Sequence, residues 1–279
     1  PSFSTAVISR VLEAEGLRVA VLAQPDWHDA EAFRAMGRPR LGVFIGAGNL
    51  DSMVAHYTAA KRRRSEDFYS PGKRTGCRPD RAAIVYCNRA REAFGPDMPI
   101  ILGSLEASLR RFAHYDYWDD SVRRAILFDA PADLLVYGMG EAATIEIAHR
   151  LKKKQSVRTM TDIPGTGYIT RDPSVCKFDH ITLPSFEDVR DDKRLYAEAT
   201  RTEYAEHDPI RGRAMIQPCE GRYLIINPPA MPLDTKELDR VAGLPYTREW
   251  HPMYEPLGGV PAIEEVRFSV IHNRGCFGG

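Results

Sequence analysis

At 279 residues, 43% of them hydrophobic, the chain can bury a substantial core as one large domain or two small ones. Lys+Arg and Asp+Glu both total 38, so no global field draws it to nucleic acid, and no apolar run approaches the roughly 20 residues of a membrane span. Five scattered cysteines, odd in number and without a signal-peptide pattern before them, argue against a disulfide framework and for the reducing cytoplasm.

The first half alternates helix-period segments with short apolar runs. Residues 4–15 place Val7, Val11 and Ala14 on one face, and Gly16 ends the helix. Residues 19–23, Val-Ala-Val-Leu-Ala, read as a strand buried on both faces. Residues 29–36 read as a short helix closed by Gly37, and 41–47 as a second buried strand. A helix over 80–94, a strand over 99–102, a strand over 133–137 and a helix over 141–151 follow. This alternation predicts an α/β fold: a doubly wound, mostly parallel sheet with flanking helices, over residues 1–152. Residues 153–262 read as an α+β connector. Within it, 185–204 is helical with Ser185 as N-cap, 223–227 is a strand, and Asp234 opens a helix that buries Leu238 and Val241. Residues 266–271 read as a last strand.

Three places carry chemistry-bearing residues. Gly46-Ala47-Gly48-Asn49 sits between a strand and a helix, where a dinucleotide-binding turn would lie, but the third glycine of that fingerprint is absent and a tight structural turn is the preferred reading. Gly138-Met139-Gly140-Glu141 repeats the situation; Glu141 in the first turn already complements the helix dipole and opposes an anion. Leu102-Gly103-Ser104 leads into Arg110, Arg111, His114, Tyr115 and Asp116, the densest mixture of basic, aromatic and acidic groups in the chain. The arginines suit an anionic substrate and His114 with Asp116 suits proton movement; an interdomain surface of the same composition is the competing reading. Lys61-Arg62-Arg63-Arg64 is too short, in a neutral chain, to argue for nucleic acid. Cys77, Cys87, Cys176 and Cys219 show no metal-ligand spacing.

Read together, several stretches resemble the YgiQ family of radical SAM proteins. They include Ala23-Gln24-Pro25-Asp26-Trp27, Ala47-Gly48-Asn49-Leu50-Asp51-Ser52-Met53, Glu106-Ala107-Ser108-Leu109-Arg110-Arg111, Ala113-His114-Tyr115-Asp116-Tyr117-Trp118 and Ile226-Asn227-Pro228-Pro229-Ala230. The likeness runs in order along nearly the whole chain and is weakest over 155–180. In that family the tail Cys276-Phe277-Gly278-Gly279 continues into Cys-x-x-x-Cys-x-x-Cys, so the resemblance makes Cys276 the first of three ligands to a [4Fe-4S] cluster whose open iron holds S-adenosylmethionine. It makes residues 263–279 the start of a radical SAM barrel, cut inside the motif, and makes that barrel the domain's main partner; the substrate stays unidentified. An α/β domain before such a barrel also resembles a cobalamin-binding domain, which would put Gly46, Gly48, Gly103, Gly138 and Gly140 against a cofactor. The Asp-x-His-x-x-Gly that ligates cobalt in many such domains is absent. A free-standing module for a nucleotide or cobalamin is the alternative reading. By the resemblance this chain alone, with one of three ligands, is inactive.

Overall fold

A computed structural model describes residues 3–269. Helix α1 (Phe3–Ala14) opens the fold, and strand β1 (Val43–Ile45) and helix α2 (Ser52–His56) follow. Next come α3 (Ala82–Phe94), β2 (Ile100–Leu102), α4 (Ser104–Leu109), and a two-stranded ribbon of β3 (His114–Asp116) and β4 (Ser121–Arg123). The chain continues through α5 (Ile126–Asp129), β5 (Leu134–Val136), α6 (Glu141–Lys152), β6 (Thr166–Thr170) and β7 (His180–Thr182). It closes with α7 (Phe186–Asp191), α8 (Lys193–Ala205), β8 (Ala214–Cys219), β9 (Arg222–Ile226), α9 (Thr235–Ala242) and two 3-10 segments, Pro252–Leu257 and Pro261–Glu265.

The seven-stranded sheet has the order β1-β2-β5-β6-β9-β8-β7. The expected parallel arrangement runs across β1, β2 and β5; β6, β9 and β8 then pair antiparallel, and β7 lies parallel to β8. One sheet therefore takes strands from both sides of residue 152. Its centre is apolar on both faces: Ile100, Ile101, Leu102, Leu134 and Leu135 are each at most 1% exposed. Burying a side chain of this size stabilises the fold by about 1.5–3 kcal/mol. Ile100, Leu102 and Leu135 pack with α3, whereas Ile101, Leu134 and Val136 pack with Ile147 and Leu151 of α6. This is the two-sided covering that period-2 side chains require of a central strand.

Several sequence expectations are corrected. Residues 19–23 form no strand, and Val21 and Leu22 are exposed. The apolar run that reads as buried pairs with no strand among the described residues. Residues 266–268 form a turn, with Val266 and Arg267 both donating to the Ile263 carbonyl, so local bonds replace the expected start of a strand; residues 270–279, Cys276 among them, lie outside the described residues. Leu238 of α9 is 38% exposed while Val241 is buried, because the covered stripe is narrower than the helix's apolar face.

The second half holds more strand than its pattern showed. β8 and β9 form a hairpin through Glu220 and Gly221, both at positive φ (50° and 70°), as a two-residue turn of mirror-image type needs. Pro218 near the end of β8 and Gly167 within β6 hide these strands from propensity. Helix 185–204 is broken at Asp192, whose side chain caps α8, while Ser185 and Asp188 form the capping box of α7. Residues 29–36 shrink to one 3-10 turn, Ala32–Arg34.

Candidate functional site

The loops after β1, β2 and β5 meet at one edge of the sheet, the C-terminal edge where open α/β sheets bind ligands. The five glycines of the sequence reading all lie there, with different duties. A Cβ on Gly46 would meet the Ser104 side chain at 3.0 Å, and one on Gly140 would meet Val136 Cγ1 at 2.8 Å, so both serve close packing. Gly103 donates to the Ile45 carbonyl, and Gly138 turns the chain at positive φ. Gly48, at φ +113°, differs: it lines a cavity of about 320 Å³ with Ser4, Asn49, Tyr69, Ala262 and Glu265. The cavity thus joins the start of α1, the β1 edge and the 3-10 segment Pro261–Glu265. Burial and the Glu265 carboxylate push the Tyr69 phenol up.

Two buried polar networks hold this edge. Glu106, 1% exposed, accepts from Ser52 Oγ (2.8 Å), Ser52 N (3.1 Å) and Ala83 N (3.2 Å), tying α4 to the starts of α2 and α3. Ser52 Oγ in turn accepts from Ala82 N at 3.0 Å. Beside the cavity, Arg78 and Asp67 form a buried ion pair, their side chains 4% and 2% exposed. Asp67 also accepts from Ser70 Oγ (2.7 Å) and Tyr69 N (3.0 Å). Asp67, Arg78, Ser4 and Tyr69 were not singled out from sequence; no spacing signals a pair that only folding brings together.

The cluster from Arg110 to Asp116 is dispersed. Arg110 pairs with Asp51, which also caps α2. Asp116, buried, accepts from Trp118 N and Asp119 N and pairs with Arg81 at 2.9 Å, so its carboxyl is held below the ordinary range despite burial. His114 bonds the Phe112 carbonyl at 3.0 Å through Nδ1, its Nε2 is buried without a partner among the described residues, and burial pulls its pKa down. Tyr115 is exposed and bonds Asp120. No bond joins His114 to Asp116, and Asp116 has the bonding of a turn anchor.

Arg111 stands apart. Its guanidinium lies 5.0 Å from the Tyr137 ring centroid and 3.2 Å from His207 Nδ1, and its Nε is buried without a partner among the described residues. Burial pushes the carboxyl of partly buried Glu203 up to about 8, with Arg111 pulling the other way. A folded-state pKa above the unfolded 4.5 means stability that is full below about 4.5 and is lost as pH rises through about 8. Glu203→Gln is therefore expected to flatten the pH dependence over this window. It should gain on the order of 2 kcal/mol at pH ~9, after allowing for solvent at the carboxyl. Thermal unfolding across that range checks it; an unchanged slope would refute the assignment.

The Radical SAM N-terminal family matches residues 1–269. The chain belongs to this family. It is 54% identical over 278 residues to a UPF0313 protein of Clostridium botulinum (strain 657 / Type Ba4), covering 100% of this chain and 43% of that relative. It is 53% identical over 277 residues to a UPF0313 protein of Clostridium perfringens (strain SM101 / Type A), covering 99% and 42%. The chain thus spans less than half the length of these relatives. No solved structure matches it.

Family membership implies a [4Fe-4S] cluster and S-adenosylmethionine in the whole protein, and the described residues do not form that site. Among them no group of three or more His, Cys, Asp or Glu gathers to hold a metal. Cys87 is fully buried with its thiol pushed up, and burial likewise pushes the thiol of buried Cys219 up to about 12, the reverse of what a thiolate ligand needs. Among the described residues no helix is long and apolar enough to cross a membrane. Lys61 is engaged within the fold, donating to the Trp118 carbonyl at 3.2 Å beneath the Tyr117 ring.

Proposed function

We propose that this chain is the α/β accessory domain of a radical SAM enzyme. In the whole protein a [4Fe-4S] cluster would supply one-electron cleavage of S-adenosylmethionine, with Cys276 as one cluster ligand. The carrying observation is the family match over residues 1–269, which ends just before Cys276-Phe277-Gly278-Gly279. In this reading the domain seats the catalytic barrel over the sheet's C-terminal edge. The 3-10 segment Pro261–Glu265 supports that placement, because it lines the cavity with Gly48 and Asn49. Ala262 N donates to the Phe68 carbonyl and Gly72 N to the Gly259 carbonyl, strapping the chain to this edge shortly before Cys276. Arg111, His207 and Glu203 are the groups proposed to face substrate or barrel; Arg110 and Asp116 keep the edge in shape.

The test is anaerobic reconstitution with iron and sulfide, read by iron content and by the EPR signal of the reduced cluster. The whole protein is expected to hold a [4Fe-4S] cluster whose signal changes when S-adenosylmethionine is added, and Cys276→Ala in that protein to lose it. This chain by itself, carrying one of the three motif cysteines, is expected to hold no stoichiometric cluster. A full cluster on this chain, or an intact one in the Cys276→Ala protein, overturns the proposal.

A further inference from the structure

The outer edge of β1 has no strand beside it among the described residues. Val43 N–H bonds the Pro99 carbonyl and Ile45 C=O accepts from Gly103 N, both on the β2 side. Strand alternation therefore turns the N–H and C=O of Phe44 outward, to the open edge. A bare, apolar terminal strand is a template for another.

Residues 17–23 join no strand among the described residues, and their two ends are anchored near opposite ends of β1. Their lower end follows Glu15, which pairs with His149 near the end of α6 at 3.1 Å. Their upper end is Gln24, whose side chain donates to Ser70 Oγ (2.9 Å) and the Tyr69 carbonyl, beside the cavity. The run therefore travels in the same direction as β1, from the Gly42 end to the Gly48 end. It also passes from one face of the sheet to the other: α1 packs on α6, while Trp27 and Phe33 pack with α3, and Arg89 of α3 holds the Trp27 carbonyl at 2.8 Å. Between these anchors Val21 is 46% and Leu22 37% exposed. An apolar run outside the sheet, leading the same way as a strand with a free edge, is what one strand seated between the two would complete.

Handedness says which strand. A parallel strand–helix–strand unit is right-handed in about 98% of cases. Helix α1 leads into residues 17–23 from the α6 face, so the strand that feeds α1 belongs between 17–23 and β1. With it the order becomes (17–23)-(vacant)-β1-β2-β5, the doubly wound order in which the ligand crevice lies between the inserted strand and β1. The cavity lined by Ser4, Gly48 and Asn49 lies at that point.

We propose that the open edge of β1 is the seat of a further parallel strand, an extended apolar segment of the whole protein that runs directly into α1. Seating it pairs Phe44, turns residues 17–23 into the outermost strand, and completes the wall of the cavity. The relatives are more than twice as long as the matched region, so they hold chain outside it. The inference does not depend on the radical chemistry.

Hydrogen exchange in the whole protein tests it, read at the amides of Phe44 and of residues 19–23. They are expected to exchange at least ~100-fold more slowly than unpaired amides, with Val21→Asp restoring fast exchange. Deleting the segment that enters α1 should also restore it, and deleting the part beyond Gly279 should leave protection intact. Fast exchange at Phe44 in the whole protein overturns the proposal. Protection that appears only with dimerisation overturns it too, in favour of a second copy. Cluster content, measured separately, has no bearing on either outcome.

Discussion

Replacing Glu106 by alanine is expected to destabilise the domain by about 3–4 kcal/mol. The carboxylate has no cationic partner within ion-pair distance among the described residues. Its charge is met instead by the Ser52 hydroxyl and by the backbone N–H groups of Ser52 and Ala83 at the starts of α2 and α3. Truncation leaves these donors buried and unmet, and leaves a void where α2, α3 and α4 converge. Glu106→Gln keeps one oxygen but turns an NH2 toward an N–H, and should cost roughly half as much. Urea unfolding reads both through the shift in midpoint at constant slope. A loss below about 1 kcal/mol for Glu106→Ala would show that water reaches these donors and that the network does not hold the edge.

Asp67→Asn is expected to cost about 3–5 kcal/mol, because it strands a buried guanidinium. Arg78 and Asp67 are almost wholly covered, and Asp67 also holds Ser70 and Tyr69. The consequence reaches both ends of the chain. Ser70 receives the Gln24 side chain at 2.9 Å, and Gly72 donates to the Gly259 carbonyl at 2.9 Å. Loosening the loop therefore frees the run that follows α1 and the strap that leads toward Cys276. The paired replacement D67L/R78M removes both charges and should recover most of the stability, since an apolar pair avoids the desolvation cost. Thermal unfolding of the single and double variants, combined as a cycle, measures the coupling; additive losses would mean the pair is not the latch.

Much of the parallel core was legible, because its signals are local. The apolar triplets that became β1, β2 and β5 each precede a turn and a helix, and the capping residues Ser185 and Asp234 lie one position before the helices they open. The antiparallel half was less legible. β6 and β8 carry Gly167 and Pro218, and they are strands because neighbours on both sides supply ladder bonds. The Arg110–Asp116 stretch shows the same limit for a site. Composition marked it as dense in functional groups, yet Arg110 and Asp116 are committed to Asp51 and Arg81, residues 59 and 35 positions away.

The sequence by itself determined the family, the alternation of strand and helix in the first half, and the cysteine at position 276 on which the proposed chemistry rests. Each is written in contiguous residues, where local propensity and motif spacing suffice. Only the tertiary structure decided that one sheet continues past residue 152, that Glu106 and the Arg78–Asp67 pair hold its C-terminal edge, and that residues 19–23 stay out of the sheet. Those outcomes depend on which strands and charges meet across the chain. Burial makes each such meeting worth several kcal/mol, and no local pattern encodes it.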